Sequence, residues 1–316
     1  MEEDIAPNYE IRRKNFQGTL PVQIRLDYSE IYIDKELPTY YIMQPRMSYF
    51  FLLIPQLIEF YSELLEGKGI SNDEYWFSCR GEPLRFDLPI GVLYDTFIRE
   101  NSSHDNLPFK ICLHYHKFPT YSLQKGMSKY IFQQSLKESS MMRVGKATAV
   151  QDRLEHVRSM LNSIKEGKYD DFWRYNEEIG EHSLSQLKYF PVRIVINRHY
   201  HPYMLKEEKD SIKGNAFVIQ RPVKVDATDI CIGEYLAKTL SKYFFIQTEV
   251  IVDEDNIEEE KQNEVEVVER SIKGTEVIVN GLDIDLDTSL TWLIMNLSAQ
   301  DNFLYITVRV PSESIE

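Results

Sequence analysis

Three groups of side chains in this chain combine types and spacings that could do chemistry. Cys112-Leu113-His114-Tyr115-His116 places a thiol and two imidazoles at alternate positions, so on an extended strand Cys112, His114 and His116 share one face. Thiolate and imidazole are the usual zinc ligands, and a thiol beside an imidazole is also a nucleophile–base pair. No fourth ligand stands at recognisable spacing, so the expectation is a polar strand face; His199-Tyr200-His201 is read the same way. The third group is Phe132-Gln133-Gln134-Ser135-Leu136-Lys137-Glu138, a lysine in a basic, helix-prone stretch. Amine attack on a thioester requires the neutral amine, and a free lysine titrates near ~10.4. Nearby Lys129, Arg143 and Lys146 disfavour its protonated form. On residue chemistry alone, Lys137 is one of many surface amines in a mildly favourable setting. No phosphate-binding glycine loop, serine elbow or paired metal-ligand motif is present, and Gly67-Lys68-Gly69 lacks the lead-in glycine and trailing hydroxyl of a P-loop. An enzyme with its own active site, a metal and a cofactor are therefore not expected. A thiol-dependent conjugation enzyme using Cys112 or Cys231 stays open as an alternative, as does an adaptor that needs no modification.

The chain has 316 residues, enough for two or three modest domains. Its three cysteines, Cys79, Cys112 and Cys231, are scattered and odd in number, which supports neither a disulfide framework nor a zinc cluster and suits a reducing compartment. The acidic start Met1-Glu2-Glu3-Asp4 lacks the basic, then apolar character of a signal peptide. The apolar run from Tyr49 to Pro55 is far short of the roughly 20 residues of a membrane span. A net charge of −14 argues against nucleic acid as a partner, because such binding relies on neutralising phosphates. The charge is unevenly spread. Residues 253–269 carry nine acids and read as a solvated insertion loop, whereas residues 121–165 carry eight bases against three acids.

The elements that must position these groups fall into two strand-rich halves around a helical middle. Tyr9 to Phe16 reads as a short helix stopped by Gly18 and Pro21, and Val22–Leu26 and Tyr40–Met43 read as strands. Ser48–Leu65 carries a helical apolar stripe that Pro55 should break. Strands are expected at Tyr75–Cys79, Leu84–Phe86 and Phe109–His116, and a short helix with proline in its first turn at Pro89–Asp95. From Ser122 to Leu187 apolar residues recur at helical spacing, with Phe132, Leu136 and Met141, then Val150, Leu154, Val157, Leu161 and Ile164 as the inward face. Asp170 and Asp171 open another helix, where acids favour the positive end of the dipole. Strands resume at Val192–Ile196, Ala216–Pro222 and Glu276–Val279, with a helix over Ile230–Tyr243.

The two strand-rich halves echo each other. Gly81 and Ile90, like Gly281 and Leu290, are nine positions apart, each segment running from a turn glycine through a short returning strand to a helix start. A small two-hairpin sheet packed on one helix satisfies both halves. The end Ser312-Glu313-Ser314-Ile315-Glu316 lacks the glycine carboxyl terminus that a transferable modifier needs, so both sheets are expected to serve as binding scaffolds.

A series of motifs then resembles the autophagy protein 5 family. They are Pro38-Thr39-Tyr40-Tyr41-Ile42-Met43-Gln44-Pro45-Arg46-Met47-Ser48-Tyr49, Trp76-Phe77 with Gly81-Glu82-Pro83-Leu84, and Pro89-Ile90-Gly91-Val92-Leu93-Tyr94-Asp95. Asp170-Asp171-Phe172-Trp173, Phe190-Pro191-Val192-Arg193-Ile194 and Trp292-Leu293 with Asp301-Asn302-Phe303-Leu304-Tyr305-Ile306 follow in the same order. The resemblance implies an α+β fold with two ubiquitin-like (β-grasp) domains flanking a helix-rich domain, behind a short N-terminal helix. The corresponding divisions are 1–18, 19–119, 120–188 and 189–316, the last with its acidic insertion at about 253–269, which has no counterpart in the family pattern. It further implies an isopeptide bond between one lysine and the C-terminal glycine of the ubiquitin-like autophagy protein 12. The family pattern of an aromatic, an apolar residue four further on, then Lys and Glu or Gln selects Lys137, with Lys129 as second choice by counting from Phe118-Pro119. The implied partners are autophagy protein 16, bound through an amphipathic helix, the conjugating enzymes autophagy proteins 10 and 3, and a phospholipid surface. The implied role is ligase-like stimulation of autophagy protein 8 transfer to phosphatidylethanolamine, at the preautophagosomal membrane of the cytoplasm.

Overall fold

Alternating apolar residues build the first sheet in the computed structural model, which describes residues 7–31, 36–65, 71, 74–97, 106–126, 128–146, 148–180, 187–197, 216–225, 230–240 and 276–309. Helix α1 (Tyr9–Gln17) is capped by Asn8, whose side chain accepts from the Ile11 N–H, and leads into β1 (Thr19–Leu26). Strands β2 (Tyr40–Pro45), β3 (Trp76–Cys79), β4 (Glu82–Pro83) and β5 (Phe109–His114) complete a sheet in the order β2-β1-β5-β3-β4. β1 runs parallel to β5 with Val22 opposite Phe109, and its alternate residues Leu20, Val22, Ile24 and Leu26 face the core. The core is closed by a 3-10 turn at Phe50–Leu53, by α2 (Ile54–Phe60) and α3 (Ser62–Leu65), and by α4 (Ile90–Phe97).

Three expectations are corrected here. Pro55 does not break the stripe: it sits in the first turn of α2, where a missing N–H has no helical partner to lose. The interruption falls at Tyr61, which ends α2 and whose hydroxyl donates to the Ile24 and Pro38 carbonyls. The returning strand is Glu82–Pro83 rather than Leu84–Phe86, because the two-residue turn Arg80-Gly81 brings Glu82 directly opposite Cys79. β5 ends at His114, short of His116.

The middle of the chain forms α5 (Ser128–Val144), α6 (Thr148–Asp152), α7 (Leu154–Glu166) and α8 (Tyr169–Gly180). Phe132, Leu136, Val150, Val157 and Ile164 are buried as their spacing predicts, but Met141 and Leu154 are exposed. Leu154 begins α7 beyond the short break at Arg153, and Met141 lies off the stripe formed by Phe132 and Leu136.

The second half repeats the first. β6 (Tyr189–Phe190) and β9 (Val223–Lys224) make a small ladder beside a sheet of β7 (Val192–Asn197), β8 (Ala216–Gln220), β10 (Glu276–Val279), β11 (Leu282–Asp283) and β12 (Leu304–Arg309). The order is β11-β10-β12-β7-β8, the first sheet's order read in reverse direction, with β7 parallel to β12. Helices α9 (Ile232–Leu240) and α10 (Leu290–Leu297) occupy the places of α2 and α4. The echo extends to single bonds. Leu84 N–H donates to Phe77 O and Ile284 N–H to Val277 O, and both turns, Arg80-Gly81 and Asn280-Gly281, take positive φ at both positions. His199-Tyr200-His201, the acidic run 253–269, Gly67-Lys68-Gly69 and both chain ends lie outside the described residues.

In the second sheet, Val192, Ile194 and Ile196 of β7 and Leu304, Ile306 and Val308 of β12 pack on their own helices. The opposite residues, Val195 and Tyr305 among them, join the core of the first half instead. Helix α4 fills the space between the two sheets, and every one of its residues is buried.

Candidate functional site

Helix α5 is a 17-residue stretch without proline or glycine, closed by Gly145 at φ +77, the left-handed position that suits glycine at a helix end. Phe132 and Leu136 are buried at 0% and 1% exposure, and Phe132 meets the Tyr49 ring edge-on at 5.9 Å. Lys137 is half-buried and borders a shallow surface hollow with Met141, Met142, Lys188, Tyr189 and Pro222. Lys129, the second candidate, lies in the first turn of the same helix. Arg143, at the far end of α5, faces a cavity of about 340 Å³ under α1, where burial and then the Arg12 guanidinium lower its pKa.

The residues on either side of Lys137 are held by a buried charged group from the second sheet. Arg193 on β7 donates through Nη1 to Ser135 Oγ (2.7 Å) and Tyr305 Oη (2.8 Å), and through Nη2 to Glu138 Oε2 (2.8 Å). Its Nε donates to Gln220 Oε1 at 2.9 Å, and the guanidinium lies 3.6 Å from the centre of the Phe303 ring. Asp301 closes the cluster, accepting from Ser135 Oγ at 2.9 Å, Tyr305 Oη at 2.7 Å and Phe303 N–H at 3.2 Å. Burial works against the Arg193 charge, but Tyr305 and Asp301 outweigh it and raise its pKa. Burial also pushes the Asp301 carboxyl up, against the pull of Arg193 and its hydroxyl donors. These shifts point in opposite senses for one pair, and the hydrogen-bond directions decide between them. Both hydroxyl oxygens are occupied by Arg193 N–H groups, so both hydroxyl hydrogens go to Asp301, which serves as an acceptor and hence as a carboxylate. The sequence reading missed this cluster. Its only local sign is an arginine inside the apolar run Val192–Ile196.

The Cys112–His116 group forms a second constellation. His114 Nε2 meets Ser78 Oγ at 2.7 Å, and its Nδ1 lies 3.2 Å from Asp27 Oδ2 and 3.4 Å from Glu30 Oε1. That is the atom order of a hydroxyl–imidazole–carboxylate relay. Its setting is that of a fastening. Ser78 is 3% exposed, and Trp76 is stacked on the imidazole at 3.9 Å. Glu30 accepts from the Tyr115 and His116 N–H groups at 2.8 and 3.2 Å, pinning the segment after β1 to the end of β5. Burial, then Asp27, pushes the Cys112 thiol up, the wrong direction for a nucleophile. Cys231 sits before α9, its sulfur accepting from the Glu234 N–H. Among the described residues no His, Cys, Asp and Glu cluster could hold a metal, and no helix is long and apolar enough to cross a membrane.

Two β-grasp units in tandem, joined by a helical segment and packed on a shared helix, define a class of ubiquitin-like scaffold fold rather than a single ubiquitin-like module. Two family models match in the same order, "Autophagy protein ATG5, UblA domain" over residues 15–115 and "Autophagy protein ATG5, UblB domain" over residues 189–308. The chain belongs to the autophagy protein 5 family. It is 25% identical over 311 residues to Autophagy protein 5 of Drosophila melanogaster, covering 96% of this chain and 98% of that one. It is 23% identical to Autophagy-related protein 5 of Caenorhabditis elegans, covering 95% and 98%. The crystal structure of Kluyveromyces marxianus Atg5 superposes with a TM-score of 0.68 at 17% identity, over 96% of this chain and all of that one, a likeness of fold.

Proposed function

We propose that this chain is an autophagy scaffold whose Lys137 accepts the C-terminal glycine of autophagy protein 12. In the transfer, Lys137 Nζ attacks the carbonyl of the glycine thioester carried by the conjugating enzyme, autophagy protein 10. A C–N bond forms, the C–S bond breaks, and the departing thiolate takes up the proton that the amine loses. The observation that carries the reading is the setting of Lys137. It sits in the family's aromatic–apolar–Lys–Glu pattern on a helix anchored by Phe132 and Leu136, and its amine makes no hydrogen bond or ion pair with any described residue. The conjugate, with an amphipathic helix of autophagy protein 16 bound, then stimulates transfer of autophagy protein 8 from autophagy protein 3 to phosphatidylethanolamine at the preautophagosomal membrane. The chain itself supplies no catalytic residue to that transfer.

Lys137→Arg tests the reading in a reconstituted conjugation mix. The expected result is loss of the higher-mass, reductant-resistant band with an unchanged circular dichroism spectrum. A full band from the arginine variant overturns Lys137 as acceptor and turns the search to Lys129. A reductant-sensitive adduct indicates a cysteine thioester, and no adduct from the wild-type chain indicates an unmodified adaptor. For the second partner, a helical peptide of autophagy protein 16 should bind the intact chain at micromolar concentration.

A further inference from the structure

We infer that Arg193 is a positioning residue for acyl transfer to Lys137, fixing the direction in which the acceptor amine leaves helix α5. The inference rests on the acceptor reading above. Successive side chains on an α-helix are turned by about 100°. Ser135 and Glu138, three apart, therefore share the face that meets Arg193, while Lys137 between them is turned away. One rigid guanidinium thus grips the residue two before the acceptor and the residue immediately after it. Its remaining donors tie it to Gln220 on β8 and Tyr305 on β12, so the grip is referred to the second sheet and not to the helix alone.

The chemistry of the cluster argues for direction over stability. Burying an ion pair is a poor way to stabilise a fold, since a well-packed apolar side chain of similar volume does as well or better. Phe132 and Leu136 already seat α5 on the core. Those apolar contacts set which face of α5 turns inward, and any residual roll about the helix axis moves Lys137 across the surface. A planar fork with hydrogen bonds to Ser135 and Glu138 removes that residual freedom. Arg193 carries no reacting group and does not touch Lys137. Its effect is on the attack geometry of an amine that must meet a thioester carbonyl presented by a separate enzyme.

Glu138→Ala and Arg193→Lys, made separately in the full chain, test this with the reconstituted activating and conjugating enzymes and modifier. Glu138→Ala removes one arm and leaves Arg193 on Ser135, Tyr305 and Gln220. Arg193→Lys keeps the charge but cannot reach all four partners. Both should lower the rate at saturating charged conjugating enzyme by about tenfold or more, with the half-saturating concentration within about twofold of wild type. Peptide mass spectrometry should also find part of the remaining product on other lysines, Lys129 among them. A wild-type saturating rate and unchanged lysine choice in both variants overturns the inference. So does a rate loss that follows only the unfolded fraction measured by thermal melting in the same buffer. If the wild-type chain is modified elsewhere than Lys137, the acceptor reading fails first, a result separable from failure of Arg193 alone.

Discussion

The two turn glycines show how one residue type can carry different loads in repeated units. Gly81 and Gly281 have almost the same backbone, φ +86 and +84, so alanine at either meets left-handed strain of about 1 kcal/mol. Their surroundings differ. A Cβ at Gly81 meets nothing within 4 Å, whereas at Gly281 it comes within 2.7 Å of the Arg46 guanidinium, which reaches across from the first unit. Arg46 is not free to swing aside, because its Nη2 is paired with Asp95 on α4 in a mostly buried setting. Gly281→Ala is therefore expected to cost about 2 kcal/mol or more beyond Gly81→Ala, the added part arising from a disturbed buried ion pair. Urea denaturation of the two variants checks this, and equal losses would show that Arg46 yields without cost.

Among the elements, α1 depends most on its neighbours. Nine residues are too few for a helix to persist alone in water. It is held by Phe16, whose ring packs on Tyr169 and Phe172 at 5.6 and 5.3 Å, and by Arg12, which lies 4.5 Å from the Trp173 ring and donates to Met295 O. Phe16→Ala should free α1, raising hydrogen exchange at Ile11–Gln17 at least about tenfold while leaving α5 protected. Equal loss of protection in α5 would mean that α1 opens only with the whole molecule. The same element shows what a sequence makes legible. Tyr9–Phe16 is readable as a helix because its stop signals, Gly18 and Pro21, are local, and the paired hairpins are readable because two-residue turns demand particular residue types. Pro55 and Met141 depart from expectation because a proline's meaning depends on the turn it falls in, and a methionine's on which face closes against a neighbour. The Arg193 cluster left almost no local trace, since Ser135 and Asp301 are 166 residues apart and meet only when the two sheets pack. The proposal of Lys137 as acceptor comes only from a family pattern, because a solvated lysine and an acceptor lysine have the same composition around them.

At the scale of the whole molecule, the second sheet is covered on both faces, and this couples the units thermodynamically. Tyr49 from the first half and Tyr305 from the second are buried near one another around Arg193 and Asp301, and burial raises both phenols well above their ordinary value. Burial likewise lifts Tyr61 to about 12 and the Cys79 thiol to about 11. All four groups keep their protons in the folded chain at a pH where the unfolded chain has begun to lose them. The unfolded state then binds fewer protons, so stability is fully present below about pH 9 and falls as pH rises towards 12. Each group adds a slope of about 1.4 kcal/mol per pH unit between its unfolded and folded values. Because two of these groups belong to the face shared by both units, the loss should be felt by both together. Trp76 in the first sheet and Trp292 on α10 report on the two units separately, once the other tryptophans are replaced by phenylalanine. Fluorescence melts at pH 8, 9, 10 and 11 should show both midpoints descending in step. A Trp292 midpoint that holds while the Trp76 midpoint falls would show that the second unit folds independently, and that packing on α4 contributes little to its stability.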